Sequence, residues 1–291
     1  MRNLGVSCCK VVIFHILMCC GLSGCTADLR KDTALEGVAS IEASREDAGR
    51  ALLQAMRAQH GGERFDGLSS VCVEMTDRWP FSKERAFAMP WDESVQQLSF
   101  CMQPARDNSR MTIKGEDGEV VGIQNWMTYH LHGDEVVFEK DKDTWFWLPT
   151  MQYFIEAAFR LQEAQFVGTV GEREFGGKMY DGVFLTWQHV EPSRSMDQYI
   201  AWIERDTGRL GMLEYTVRDM FRFVTGTAVY SEYKTYDGVV YPSTITLYNG
   251  DADRGKVLHE MSLEGYTFDS VSKDELVPAP GKSARKADQG G

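Results

Sequence analysis

His130 and His132 stand two residues apart in His130-Leu131-His132-Gly133-Asp134, and His189 and His259 follow downstream. Residues i and i+2 of a strand share a face, so both imidazoles would point to one side, an arrangement that suits Zn²⁺ with Asp134 as an oxygen donor. The surrounding residues favour a plainer reading. Trp126 to Leu131 and Glu135 to Phe138 are two apolar runs about a Gly-Asp turn, which makes a surface hairpin carrying two solvated histidines. No serine or cysteine sits in a nucleophile motif, and no glycine-rich loop is placed to cradle phosphate. Enzymatic chemistry is therefore not expected, and no cofactor or resident metal is implied.

The His130–Asp134 stretch also resembles the start of the H-x-H-x-D-H signature of metallo-β-lactamase-like hydrolases. Glu135 stands where the last histidine would be, and that signature needs a strand leading into a helix. A zinc-dependent hydrolase using His130, His132 and Asp134 is the least favoured function class.

The cysteines carry a different chemistry. Arg2 and Lys10 precede the apolar run Val11 to Met18, which is shorter than the roughly 20 residues a bilayer span needs, and small residues follow. Leu22-Ser23-Gly24-Cys25 resembles the lipobox of bacterial lipoproteins, which implies cleavage before Cys25 and acylation of its thiol and amine. Residues 1–24 are then a lipoprotein signal peptide, and palmitate-like chains on Cys25 tether the protein to an envelope membrane. Thr26 follows, whereas an Asp there marks inner-membrane retention in enterobacteria-like systems, so by that resemblance the outer membrane facing the periplasm is expected. Cys8, Cys9, Cys19 and Cys20 leave with the signal, so Cys72 and Cys101 remain as an even pair in an oxidising compartment, a disulfide or two buried thiols.

The formal net charge is -12, and loss of Arg2 and Lys10 takes it to -14. Such an acidic chain argues against nucleic acid, whose phosphates require Lys and Arg, and supplies no polybasic patch for lipid headgroups. Aromatic residues make up 11 % of the chain, enough for a substantial core or an apolar cavity.

Several elements can be placed by pattern. Residues 25–43 are mostly small and polar and are expected to be a flexible tether. Ser44 is a candidate N-cap for a helix that carries Ala48, Ala51, Leu52, Ala55 and Met56 at helical spacing and stops at His60-Gly61-Gly62. From Leu68 to Phe268 alternation dominates: Val71, Val73 and Met75 against Ser70, Cys72 and Glu74, then Leu98, Phe100 and Met102 against Ser99, Cys101 and Gln103. Cys72 and Cys101 both fall on the less apolar face, which would place their thiols on one side of neighbouring strands. Gly176-Gly177, Asp206-Thr207-Gly208 and Asp237-Gly238 mark turns of a meandering antiparallel sheet. One helix interrupts it, expected to start near Pro149 and to carry Met151, Phe154, Ile155, Ala158, Phe159 and Leu161 on more than one stripe. The tail 273–291 is expected to be disordered.

The later half of the sheet has a recognisable pattern. Tyr199 to Leu210 is a strand, an Asp206-Thr207-Gly208 turn and a returning strand, and it is followed by Tyr233-Lys234-Thr235-Tyr236-Asp237-Gly238-Val239-Val240-Tyr241-Pro242. This resembles the C-terminal hairpins of the LolA/LolB-like superfamily of envelope carriers, and the resemblance runs from about residue 45 to 270. It implies a mostly β (α+β) fold for residues 44–272, an incomplete antiparallel β-barrel with an N-terminal helix and a lid-like helix around a hydrophobic cavity. The residues agree independently. Ile200 and Trp202 lie on one face of their strand and Tyr199, Ala201 and Ile203 on the other, so both faces need cover or one lines a cavity.

The resulting expectation is an envelope lipoprotein that binds or transfers a lipid or the acyl chains of a lipoprotein. The expected ligand-binding residues are Trp145, Trp147, Met151, Phe154, Ile155, Phe159 and Trp202, for each of which simple core packing is the alternative. A second class is a protein-binding scaffold or envelope-stress sensor, the role ascribed to the RseB-like relatives of this fold. The expected partners are the membrane, reached through the N-terminal lipid, and a hydrophobic small molecule or lipoprotein, with a protein partner in the second class.

Overall fold

The computed structural model describes residues 26–279, apart from 81, 82, 84, 116, 117, 134, 220 and 221. The signal peptide, Cys25 and Asp134 therefore lie outside the described residues. Helices α1 (Ala43–Gln59) and α2 (Gly62–Asp66) come first. Strand β1 (Val71–Arg78), the one-turn helix α3 (Arg85–Ala88) and strands β2 (Val95–Met102), β3 (Asn108–Ile113), β4 (Val120–Gln124), β5 (Met127–His132) and β6 (Glu135–Phe138) follow. Helix α4 (Lys142–Arg160) separates these from β7 (Phe166–Phe175), β8 (Lys178–Thr186), β9 (Gln198–Glu204), β10 (Leu210–Thr216) and β11 (Thr225–Ser231). The short ribbon β12 (Lys234–Tyr236) and β13 (Val239–Tyr241), strands β14 (Thr244–Asn249) and β15 (Lys256–Phe268), and α5 (Lys273–Leu276) complete the order.

Thirteen strands form one antiparallel sheet in the order β6-β5-β4-β3-β2-β1-β15-β14-β11-β10-β9-β8-β7. The chain enters at mid-sheet, meanders out to the edge β6, crosses through α4 to the opposite edge β7, and meanders back until β15 pairs with β1. The two edges do not pair, so the barrel is incomplete, and α4 is the crossover that spans the gap. Turn residues fix the hairpins. Gly176 and Gly177 (φ 58° and 76°) join β7 to β8, and Asp237 and Gly238 (φ 43° and 83°) join β12 to β13, the left-handed pairs that two-residue hairpins require.

The inward-facing residues follow the alternation: Val71, Val73 and Met75 on β1, Leu98, Phe100 and Met102 on β2, and Met261 and Leu263 on β15, all packed with α4 in one cluster. Fully burying each such side chain is worth about 1.5–3 kcal/mol. α1 lies along β7. Its Gly49 allows the contact, since a Cβ there would come within 2.9 Å of Val167 Cγ1.

A second cluster occupies the outer face of β7 to β10, built on Val170, Tyr180, Phe184, Ile200, Trp202 and Met212. Leu29, Leu35 and Ile41 cover it. The segment expected to be a free tether is thus docked on the sheet, with Leu35 and Arg30 buried, Leu29 N–H donating to Gln198 Oε1 (3.0 Å) and Ala34 N–H donating to the Val170 carbonyl (3.3 Å). The two apolar faces of β9 explain it: the inner face meets the core, and the outer face requires its own cover.

Three boundaries differ from the sequence expectation. α1 starts at Ala43 with Glu42 as N-cap, so Ser44 lies inside the helix. α4 starts seven residues before Pro149, because the Asp141 side chain accepts the N–H groups of Asp143 and Thr144 and nucleates the first turn within a polar stretch. The start of the tail is ordered: Ser272 and Glu275 form a capping box on α5, Leu276 and Val277 are buried, and Ala279 N–H donates to Gln124 Oε1 at 2.9 Å. The folded unit therefore extends on both sides of 44–272. Among the described residues, one thirteen-stranded sheet carries an apolar cluster on each face. No described helix is long and apolar enough to cross a membrane.

Candidate functional site

A cavity of about 550 Å³ opens between α4 and strands β9, β10, β11, β14 and β15. α4 contributes Trp145, Phe146, Trp147, Tyr153 and Phe154, and the sheet contributes Tyr199, Tyr215, Leu247 and Leu258. The aromatic walls are built from pairs: Trp126 with Trp145 (ring centroids 5.8 Å apart), Tyr153 with Tyr199 (5.4 Å), Trp187 with Tyr199 (5.8 Å) and Phe154 with Tyr215 (5.0 Å). Trp126 sits in the β4–β5 turn at φ 67°, a conformation a bulky residue rarely adopts, and this brings its indole to the cavity.

The charged groups on the walls are mainly acidic. Asp197 accepts Thr216 Oγ1–H (2.8 Å) and Arg218 N–H (2.9 Å), and burial pushes its carboxyl up to about 6. Arg160 pairs with Asp107 at 3.2 Å and lies 5.4 Å over the Tyr153 ring. Asp219 also lines the cavity.

A second polar feature sits where β1 and β15 face Trp147. His259 lines the cavity, and its Nδ1 lies 2.7 Å from Asp77 Oδ1. Asp77 Oδ2 accepts the indole N–H of Trp79 (2.8 Å) and of Trp91 (2.7 Å). Asp77 is 0 % exposed and His259 1 %. Two indole N–H groups donate to this carboxyl group, and the Nδ1–Oδ1 contact is a hydrogen bond to the carboxylate in the tautomer with the proton on Nδ1, in which Nε2 presents its lone pair as an acceptor. Nε2 is buried and meets no protein hydrogen-bond partner. The ring is held between Trp79, stacked at 4.3 Å, and Trp147, edge-on at 5.8 Å.

Trp145, Trp147 and Phe154, of the residues singled out from the sequence, line this cavity. Met151, Ile155 and Phe159 do not. They belong to the packed core, with Phe159 stacked on Phe65 at 4.0 Å, because a helix lying across a sheet buries its other stripes against strands and α1. Trp202 lies on the opposite face of the sheet, in the outer cluster, and donates its indole N–H to Glu214 Oε1 at 2.8 Å. The alternation had already placed it opposite Tyr199. Cys72 and Cys101 are directly paired across β1 and β2 and joined by a disulfide, with Cα atoms 4.0 Å apart.

Residues 127–138 form the expected hairpin, but His130 is not solvated. Its side chain is 14 % exposed and lies 3.2–3.5 Å from carboxylate oxygens of Glu119, Glu139 and Asp141. His189 and His259 do not join His130 and His132, and no group of three or more His, Cys, Asp or Glu side chains among the described residues is arranged to hold a metal ion.

Asp77 and His259 carried a signal in the sequence. Each continues an apolar alternation at an inward position, Val71-x-Val73-x-Met75-x-Asp77 and His259-x-Met261-x-Leu263. A charged or polar residue in such a register must find a buried partner.

The fold is similar to that of solved LolA-like incomplete barrels. A LolA superfamily protein from Nitrosomonas europaea superposes with a TM-score of 0.50 at 11% identity, covering 78% of this chain and 96% of that one. A domain from Vibrio parahaemolyticus assigned to outer membrane lipoprotein sorting gives a TM-score of 0.51 at 10% identity, covering 79% and 97%. No protein-family model and no curated protein matches the sequence. At these identities the likeness is one of fold.

Proposed function

We propose that this protein binds a hydrophobic or amphipathic ligand, a lipid or the acyl chain of a lipoprotein, in the cavity under α4, and does so in the cell envelope while tethered by acylated Cys25. The observation that carries the reading is the cavity itself. It holds about 550 Å³, within the roughly 300–1,000 Å³ of small-ligand sites, and an aromatic wall lines it. The LolA-like fold supports the envelope setting, and Leu22 to Cys25 support the anchor.

Mass spectrometry of organic extracts of the chain from Thr26 to Gly291, purified without detergent, tests the ligand. A stoichiometric lipid or fatty acid is expected. An empty extract, with no uptake of a fluorescent fatty-acid probe, would refute the reading. For the anchor, Cys25→Ser in the full chain should abolish incorporation of labelled palmitate. The native protein should fractionate with the outer membrane, and recovery with the inner membrane would exclude that location.

A further inference from the structure

Asp77 satisfies the buried indole N–H groups of Trp79 and Trp91, but among the described residues no group satisfies Nε2 of His259. A buried acceptor left without a donor is costly, and Nε2 of His259 is such an acceptor in a residue that lines the cavity. Its Nδ1 faces Asp77, Trp79 stacks on the ring, and Trp147 packs at right angles to it. Asp77 is itself saturated by three N–H donors, so it serves to orient the imidazole rather than to meet a ligand.

From these observations we propose that His259 Nε2 is the head-group anchor of the cavity, and that the ligand it selects is a single-chain amphiphile with a small protic head, a carboxylic acid or an alcohol. This deepens the cavity reading and rests on it. The head-group O–H donates to Nε2, while the chain lies against Trp147, Leu247 and Leu258, which border the same space. For an acid the proton can pass from the carboxyl oxygen to Nε2. The ligand carboxylate then faces an imidazolium held by Asp77, with no other bond changed and the same net charge in the site. The other charged groups on the walls argue against a phosphate head. Asp107, Asp197 and Asp219 are acidic, and Arg160 is already paired with Asp107, so a doubly charged head would meet an acidic surround.

The test compares dodecanoic acid, dodecanol and methyl dodecanoate, which share a chain and differ in the O–H, as competitors of a fluorescent alkyl probe on the Thr26–Gly291 chain. The acid and the alcohol are expected to bind at least about ten-fold tighter than the ester, a factor equivalent to about 1.4 kcal/mol. In His259→Phe the preference for the acid and the alcohol over the ester should fall below about two-fold. Equal binding of all three by the wild type overturns the anchor and leaves the cavity reading intact, whereas binding of none overturns both. A dodecyl phosphate that outcompetes the acid also overturns the proposed head-group chemistry. If His259→Phe does not fold, the ¹⁵N resonance of Nε2 in the wild type decides. It should move on adding the acid or the alcohol and stay in place with the ester, and a resonance indifferent to all three refutes the anchor.

Discussion

Nε2 of His60 accepts the backbone N–H of Leu210 at 3.2 Å, while Nδ1 lies 2.9 Å from the carbonyl oxygen of Val240. One neutral imidazole at the end of α1 thereby ties β10 to β13. Both ring nitrogens are satisfied only when the ring is neutral, with Nδ1 donating to Val240.

This link should be sensitive to acid. Burial, with a smaller contribution from Arg209, pushes the His60 pKa down to about 4 from 6.5. A folded pKa below the unfolded one means the stabilisation is present above about pH 6.5 and is lost as pH falls towards about 4. Urea midpoints at pH 7 and pH 5 should differ more in the wild type than in His60→Gln, whose amide can keep one donor and one acceptor. Equal pH slopes in the two proteins would remove His60 as the cause.

Glu156 on α4 has the opposite sign. It is 0 % exposed, accepts Ala105 N–H (3.2 Å) and Gln152 Nε2–H (3.2 Å), and burial raises its carboxyl to about 8 against the opposing effect of Arg160. A raised folded pKa makes its contribution complete below about pH 4.5 and lost as pH rises through about 8. Glu156→Gln should therefore match the wild type at pH 5 and exceed it above pH 8 by at least about 1 kcal/mol, one pKa unit being worth about 1.4 kcal/mol. A variant that is less stable at both pH values would show that the carboxylate is ionised and needed.

The Cys72–Cys101 disulfide spans 29 residues on the outer face of the sheet. Closing a loop of that length should contribute about 3 kcal/mol, chiefly by restricting the unfolded chain. Cys72→Ser with Cys101→Ser should lower stability by that order without changing the fold. The chain from Thr26 onward contains only these two cysteines, so an Ellman assay on denatured, unreduced protein should read zero thiols. A reading of two would contradict the bond.

The strands were legible because a half-buried sheet forces period-two alternation, and Val71 to Met75 or Leu98 to Met102 obey it strictly. The outward side of Cys72 and Cys101 and the double-faced Tyr199–Ile203 strand followed from the same count. The start of α4 was hidden because Lys140-Asp141-Lys142-Asp143 reads as a polar loop, while Pro149 resembles a first-turn residue. The docking of 26–42 depends on a few side chains, Leu29, Leu35 and Ile41, too sparse to show a period. For the site, apolar density identified α4 but not which stripe faces the cavity, since that depends on the path of the crossover. Asp77 and His259 are 182 residues apart, and only the β1–β15 pairing brings them together.

That division of α4 into a cavity stripe and a core stripe can be measured. Phe159 is 5 % exposed and stacked on Phe65, whereas Trp145 is partly buried and borders the cavity. Phe159→Ala should cost about 3–5 kcal/mol whether or not ligand is present, the usual range for emptying an aromatic core position. Trp145→Ala should cost about 1 kcal/mol or less, because only part of its surface is withdrawn from water. Ligand should separate the two further. A ligand that binds only the folded state raises the melting midpoint by mass action, so a fatty-acid probe should raise Phe159→Ala, from its lower baseline, about as much as the wild type. Trp145→Ala should start near the wild-type midpoint and respond weakly. The reverse pattern, a severe loss at Trp145 with normal ligand response and a mild loss at Phe159 with none, would place the binding surface on the other stripe of the helix.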